Sequence, residues 1–379
     1  MSMTVCLAAN TIEYPEGGGH FWVYLNWALG LQALGCRVIW LEGIDSQMPA
    51  HEAQTLISTL KSYLEPYGLA EHVALCSWDA EPLPRAMTEQ CLDSEAASEA
   101  HLLLNLAYSI PSQVVERFHR KALVDIDPGL TQLWLSQGLI HPARHDIYFT
   151  IGETVGKAEA RFPDCGLKWH YTPPAVFLPA WPTGPTTLAH SRAAFTTVSG
   201  WWGEWIEYAG ENVNNEKRTA FLAYADLPSH TSAHLELTLC LTPDDEEDRR
   251  FLEQRGWKIR NSTEIASTPK QYRAYIQQSR GEFSCAKPSC MLLQNAWISD
   301  RTLCYLASGK PAIVQHTGPS NFLPDAEGLF RFRNREDAAH ALNTVQSDYE
   351  RHSRLARQLA EEYFDARKVV RSVLERTLD

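Results

Sequence analysis

Four short stretches of this chain combine residue types and spacings that can do chemistry. Ser299-Asp300-Arg301 opens a helical run in which Leu303, Leu306 and Ala307 share a face, and Gly309 and Pro311 end it. The free N–H groups of such a helix start, with an Arg beside them, suit an anion such as the diphosphate of a nucleotide sugar. An Arg in a first helical turn is disfavoured by the helix dipole, so an anion there would account for it. The strand-like Ala312–Gln315 and the loop Thr317-Gly318 follow, and we assign both loop residues to the same donor site.

Lys287 stands at the carboxyl end of the strand-like Glu282–Cys285, where open α/β sheets bind ligands. It can meet phosphate as a point charge while Arg301 offers a planar fork. Gly17-Gly18-Gly19-His20 lies between an apolar strand and a helix. Three glycines let backbone approach a bulky donor. His20, with an ordinary pKa of about 6.5, can act as general base toward an acceptor hydroxyl. Asp125-Ile126-Asp127-Pro128-Gly129 closes another strand. Two carboxylates so spaced can hold a divalent ion. The Pro-Gly turn after them fits better with Asp127 orienting His20 or touching the acceptor, or with a plain turn acid, so no metal is expected. Trp201, Trp202 and Trp205 make a dense aromatic loop that can either stack on a base or sugar or simply pack.

The elements needed to position these residues alternate. Strands are expected at Met3–Ala9, Cys36–Leu41, His101–Leu106, Ala122–Ile126 and Ile147–Ile151, with helices at His20–Leu34 and His51–Leu64. Five prolines crowd Tyr171–Thr187 and forbid helix or central strand. A second series follows: strands at Ala194–Val198, Leu235–Leu241, Trp257–Ile259 and Glu282–Cys285, and helices at Glu216–Tyr224, Asp244–Gln254 and Lys270–Gln277. Charged amphipathic helices close the chain at Asp337–Phe364 and Arg367–Leu378. The expected organisation is an acceptor-binding Rossmann-like domain over 1–172 and a Pro-rich linker over 173–190. A nucleotide-sugar-binding Rossmann-like domain follows over 191–350. Helices over 351–379 can pack back on the first domain. Two parallel sheets would face a deep cleft.

Length and composition agree with this class. At 379 residues the chain exceeds the size of one ordinary core, and 44% hydrophobic with 21% charged residues is globular composition. No apolar run reaches the length of a membrane span, and the N-terminus lacks a signal-peptide pattern. The nine Cys have no metal or disulfide spacing and read as mostly buried thiols, which predicts a cytoplasmic protein. A formal charge of −12 without a Lys/Arg-rich stretch predicts no nucleic-acid partner. The sequence assigns no oligomeric state.

Glu282–Lys287, Ser299–Arg301 and Ala307–Pro311 resemble the donor half of GT-B glycosyltransferases. The nearest likeness is to a bacterial group related to the spore-maturation glycosyltransferases, which share the Ser-acid-Arg helix start. Gly17–His20 resembles the Gly-rich loop and His of the lipid-linked cell-wall N-acetylglucosaminyltransferase. Asp45–Arg120 carries no recognisable signature. The resemblance implies a nucleotide-diphosphate-sugar co-substrate held by the C-terminal domain, a small-molecule or glycan acceptor held by the N-terminal domain, and no other cofactor or essential metal. Where many such enzymes carry a ribose-binding Glu this chain has Cys304, so either ribose contact moves to Asp300 or the pocket differs. The earlier Glu of the retaining pattern is replaced by Ala296, which favours inverting transfer. Two other readings share the fold: a nucleotide-sugar 2-epimerase and a nucleotide-binding protein without turnover.

Overall fold

The computed structural model describes residues 3–184, 193–323 and 327–379, so the part of the expected linker over 185–190 lies outside the described residues. The chain divides into two units. One takes Met1–Gly156, Pro163–Phe177 and Ala366–Asp379, the other Lys157–Phe162 and Leu178–Asp365.

The first unit holds β1 (Thr4–Ala9), β2 (Arg37–Ile44), β3 (Val73–Ser77), β4 (Leu102–Asn105), β5 (Lys121–Asp125), β6 (Ile147–Thr150) and β7 (Trp169–Tyr171). They form one parallel sheet in the order β3-β2-β1-β4-β5-β6-β7. A parallel sheet covered on both faces needs continuous apolar strands, and Val5–Ala9 of β1 are fully buried. Strand order reverses beside β1, so the loop leaving its carboxyl end stands at the topological switch point of the sheet.

That loop feeds the helix Gly18–Ala33, which buries Phe21, Trp22, Leu25, Trp27 and Leu31 around its circumference. A helix apolar on every side must be covered on every side. The C-terminal helix Ala366–Leu378 supplies one cover, crossing at Gly30, where a Cβ would sit 2.9 Å from Val370 Cγ2 and 3.0 Å from Ala366 Cβ. Buried Asn26 donates to the Trp22 carbonyl at 2.8 Å and accepts from Phe177 N at 2.9 Å.

The second unit holds β8 (Phe195–Gly200), a hairpin of β9 (Ile206–Tyr208) and β10 (Glu211–Val213), then β11 (Leu235–Cys240), β12 (Lys258–Asn261), β13 (Gly281–Ser284), β14 (Ala312–Gln315) and β15 (Leu329–Phe332). Six of these form a parallel sheet in the order β12-β11-β8-β13-β14-β15, with the reversal beside β8. Phe195, Phe221, Trp257, Phe283 and Phe332 fill its core, with Phe283 stacked on Phe332 at 5.4 Å.

The structure adds β3, β7, β15 and the hairpin to the expected strands. It also breaks the expected helix Asp337–Phe364 into Arg335–Ser347 and Tyr349–Leu359, followed by a wider π turn over Ala360–Phe364. The break is at Asp348, whose extended φ of −144° leaves the helical region and whose carboxylate accepts from Arg351 N. Of the cysteines, Cys165 and Cys240 are exposed rather than buried. Among the described residues no helix is long and apolar enough to cross a membrane.

Candidate functional site

Within the second unit, alternation along β13 turns Phe283 into the core. Glu282 and Ser284, on the other side of the strand, both bind Arg301. Glu282 is fully buried. Its Oε1 accepts from Arg301 Nε at 2.7 Å, while Arg301 Nη1 donates to the Val198 carbonyl at 2.8 Å and Nη2 donates to Ser284 Oγ. Arg301 thus has an anionic partner within the chain, which the sequence alone does not show. The anion that explains a cation in this helix's first turn is the chain's own Glu282, and three of the five guanidinium N–H groups are already used.

Lys217, not singled out in the sequence, is the first residue of the helix Lys217–Leu222 and is 7% exposed. Its ammonium donates to the carbonyl of Cys285, just past β13. Burial brings its pKa down to about 7, and the positive charges of Arg301 and Lys287 push the same way. Lys287 precedes the short helix Pro288–Leu293. Three cations therefore crowd the carboxyl ends of β8 and β13.

Ser284, Cys285, Ser299, Arg301, Gln315 and Thr317 line a small pocket here of about 20 Å³, room for one water-sized group such as a phosphate oxygen. Ser299 holds the N-cap position of the helix Asp300–Ala307, but its hydroxyl makes no capping bond. Asp300 lies in the first turn, where a carboxylate complements the helix dipole. Thr317 is buried and donates to the Trp297 carbonyl at 2.6 Å. Gly318 has φ +139°, and a Cβ there would meet the Gln294 carbonyl oxygen at 2.5 Å. A glycine is required here by the close approach of the chain to itself. Gln294 and Ala296, also left-handed with φ of 51° and 55°, shape the same turn ahead of Ser299.

A roomier cavity of about 680 Å³ lies at the amino ends of β8, β11 and β12, away from these groups. Of its three cations, Lys258 and Arg255 are committed to Glu236 at 2.5 Å and Asp226 at 3.0 Å, and Arg260 is the third.

In the first unit two buried carboxylates tie down the loops that carry the expected residues. Glu42 on β2 accepts from Thr11 N at 2.8 Å, Thr11 Oγ1, Ile12 N at 3.3 Å and Trp40 Nε1 at 2.7 Å. Asp125 at the end of β5 accepts from Asp127 N at 3.0 Å, Thr131 Oγ1 at 2.7 Å, Gln132 Nε2 at 2.9 Å and Thr150 Oγ1 at 2.8 Å. Four donors fill the four lone-pair sites of Asp125, leaving none to share an ion with Asp127. Burial raises the pKa of both carboxyls, that of Asp125 to about 6.

The loop fixed by Glu42 delivers Gly17 to the N-cap and Gly18, Gly19 and His20 to the first turn of Gly18–Ala33. A Cβ on Gly17 would meet the Tyr14 carbonyl oxygen at 3.0 Å, so this glycine too accommodates the loop itself. His20 stands between Tyr14 and Tyr24, edge-on at 5.4 and 5.3 Å, and its Nε2 meets the Asn10 carbonyl at 2.6 Å. A carbonyl only accepts, so Nε2 carries the proton and Nδ1 of the neutral ring is a lone pair. Burial lowers the pKa of His20, against the Asn10 carbonyl and the Asp127 charge, which raise it. The structure thus brings Gly17, Gly18, Gly19, His20 and Asp127 into the first unit, and Lys287, Ser299, Asp300, Arg301, Thr317 and Gly318 into the second.

The sequence matches no protein-family model and no curated protein. Solved structures do match over the whole chain. An alpha-glucosyltransferase in complex with UDP-glucose and DNA containing an abasic site gives a TM-score of 0.59 at 10% identity, covering 100% of both chains. An alpha-glucosyltransferase with UDP and a 13-mer DNA containing a HMU base gives 0.58 at 10% identity over 100% of both. Anabaena Alr3699/HepE in complex with UDP-glucose gives 0.58 at 13% identity over 99% of both. The DNA in two of these complexes overturns the expectation that nucleic acid is not a partner. A formal charge of −12 averages over the whole chain and describes no single face of it. The two parallel sheets and these likenesses establish the GT-B fold for this chain.

Proposed function

We propose that this protein is a glycosyltransferase that moves a hexosyl group from a nucleoside diphosphate sugar to an acceptor hydroxyl. The observation that carries the reading is the group of Lys217, Lys287 and Arg301 at the carboxyl ends of β8 and β13, in a fold whose solved examples hold UDP or UDP-glucose. Lys287 and Lys217 would neutralise the leaving diphosphate, with Arg301 held by Glu282 as the wall behind them. The first unit would hold the acceptor. As the acceptor oxygen bonds to the sugar's anomeric carbon, the bond from that carbon to the diphosphate breaks and its electron pair leaves with the nucleotide. The hydroxyl proton passes to Nδ1 of His20, with Asp127 favouring the imidazolium that forms. One base and direct displacement make the transfer inverting, and the lysines make it independent of a metal. The Ser299-Asp300-Arg301 helix start supports kinship with the spore-maturation group.

UDP and UDP-glucose head a thermal-shift panel with GDP, dTDP, ADP and their sugars. A ligand at a hundred times its Kd stabilises by about 2.7 kcal/mol. A stabilising nucleotide whose effect is lost in Lys217→Met, with transfer that survives EDTA, is the expected result. No response to any nucleotide would sink the reading. Loss of transfer in EDTA, restored by magnesium, would sink its metal-free form. The acceptor arm of the assay includes HMU-containing DNA beside oligosaccharides.

A further inference from the structure

The loop Gly200–Trp205 leaves the carboxyl end of β8 and leads into the β9–β10 hairpin. Trp201 turns inward and stacks on Phe221. Trp202 and Trp205 are 53% and 58% exposed. All three indole N–H groups are tied to carboxylates: Trp201 to Asp248 at 2.9 Å, Trp202 to Asp245 at 2.8 Å and Trp205 to Glu216 at 3.3 Å. Arg218, bound through two nitrogens to Asp248, backs the Trp202 ring at 5.4 Å. Trp202 is therefore braced by Arg218, and both exposed indoles have their N–H groups spent while much of their apolar surface stays in solvent. Loop packing does not explain this, because leaving so much apolar surface in water forfeits its burial energy.

The surrounding charge selects the occupant. Residues 201–216 contain Glu204, Glu207, Glu211 and Glu216 and no Lys or Arg, and the one cation at the Trp202 ring, Arg218 just after them, is matched by the Asp248 carboxylate it binds through two nitrogens. A phosphate backbone or an anionic lipid surface meets repulsion there. An uncharged sugar ring offers an apolar C–H face to an indole and hydroxyl donors to carboxylates such as Glu204 and Glu211. We propose that Trp202 and Trp205 form a stacking platform for a neutral oligosaccharide. Binding at the platform stands independently, whereas reading that glycan as the acceptor rests on the transferase assignment.

The test is calorimetry and tryptophan fluorescence with maltohexaose, cellohexaose, xylohexaose and chitohexaose, without nucleotide. It uses the full chain, Trp202→Ala/Trp205→Ala and the milder Trp202→Tyr. The expected result is binding of at least one oligosaccharide by the wild type, weakened about tenfold or more in the double variant and less in Trp202→Tyr. UDP affinity should be equal in all three, and Lys217→Met should keep the oligosaccharide. Failure of every oligosaccharide to bind overturns the platform, as does equal binding by wild type and the double variant. Loss of binding to a DNA duplex or to anionic vesicles in the double variant, with oligosaccharide binding untouched, overturns it in favour of those partners. Failure of UDP alone counts against the transferase reading and leaves the platform standing.

Discussion

Both sheets bury carboxylates near the edge where their loops emerge, and they use them in opposite ways. In the first unit Glu42 and Asp125 each accept from four uncharged donors, so their own loops become the partners that fix His20 and Asp127. In the second unit Glu282 is bound by a single guanidinium, its Oε2 has no hydrogen-bond partner, and two lysines crowd the same edge. One arrangement makes a rigid neutral setting in which a ring nitrogen can take a proton. The other makes an electropositive setting that an incoming anion would relieve. The same fold thus gives its buried acids two different kinds of partner, uncharged loop donors in one unit and a guanidinium in the other.

His20 offers the largest test of this contrast. Replacing it by Ala should lower turnover by about 10²–10⁴-fold while UDP affinity stays at the wild-type value, read on one folded sample. A loss below about tenfold would leave the neutral edge without its base and make Asp127 the next residue to replace.

Arg301→Ala comes next. It strands Glu282 as a buried unpaired charge, so unfolding should become easier by about 3–5 kcal/mol in urea melts, and Glu282→Gln in the same chain should return part of that loss. A variant as stable as wild type that has lost only nucleotide binding would mean that Arg301 serves the ligand, and the contrast between the edges would fail.

Smallest is the pH dependence of donor binding. With its pKa near 7 in the free protein, Lys217 is charged below that value and neutral above it. An anion prefers the ammonium, so UDP affinity should weaken by up to about tenfold per pH unit above pH 7, and Lys217→Met should flatten the profile. A flat profile in the wild type would take Lys217 out of the site.

Much of the architecture was legible because parallel strands declare themselves as short apolar runs and helices as stripes between turn residues. Gly17–His20 could be set at a helix start, and Ser299 at an N-cap, from spacing alone. Burial of charge was not legible. Lys217 sits in the polar run Asn214-Asn215-Glu216-Lys217-Arg218 and looks like a solvated lysine, because a sequence shows charge but not desolvation. Glu282 looked like one letter of a strand, and its pairing with a residue nineteen positions away decides what Arg301 does. Nor could the sequence show the Gln294 carbonyl 2.5 Å from where a Cβ of Gly318 would sit, which requires a glycine there.

The crossing at Gly30 has a consequence for how the protein is made. The helix that carries His20 is translated more than 300 residues before the Ala366 and Val370 side chains that close over it. At roughly 5–20 residues per second, its apolar flank stays uncovered while the whole second unit is synthesised, for some tens of seconds. An expression fragment ending before Ala366 would leave the lysine edge complete and the histidine helix without its outer wall. Its failure would appear as aggregation during synthesis, before any activity could be assayed.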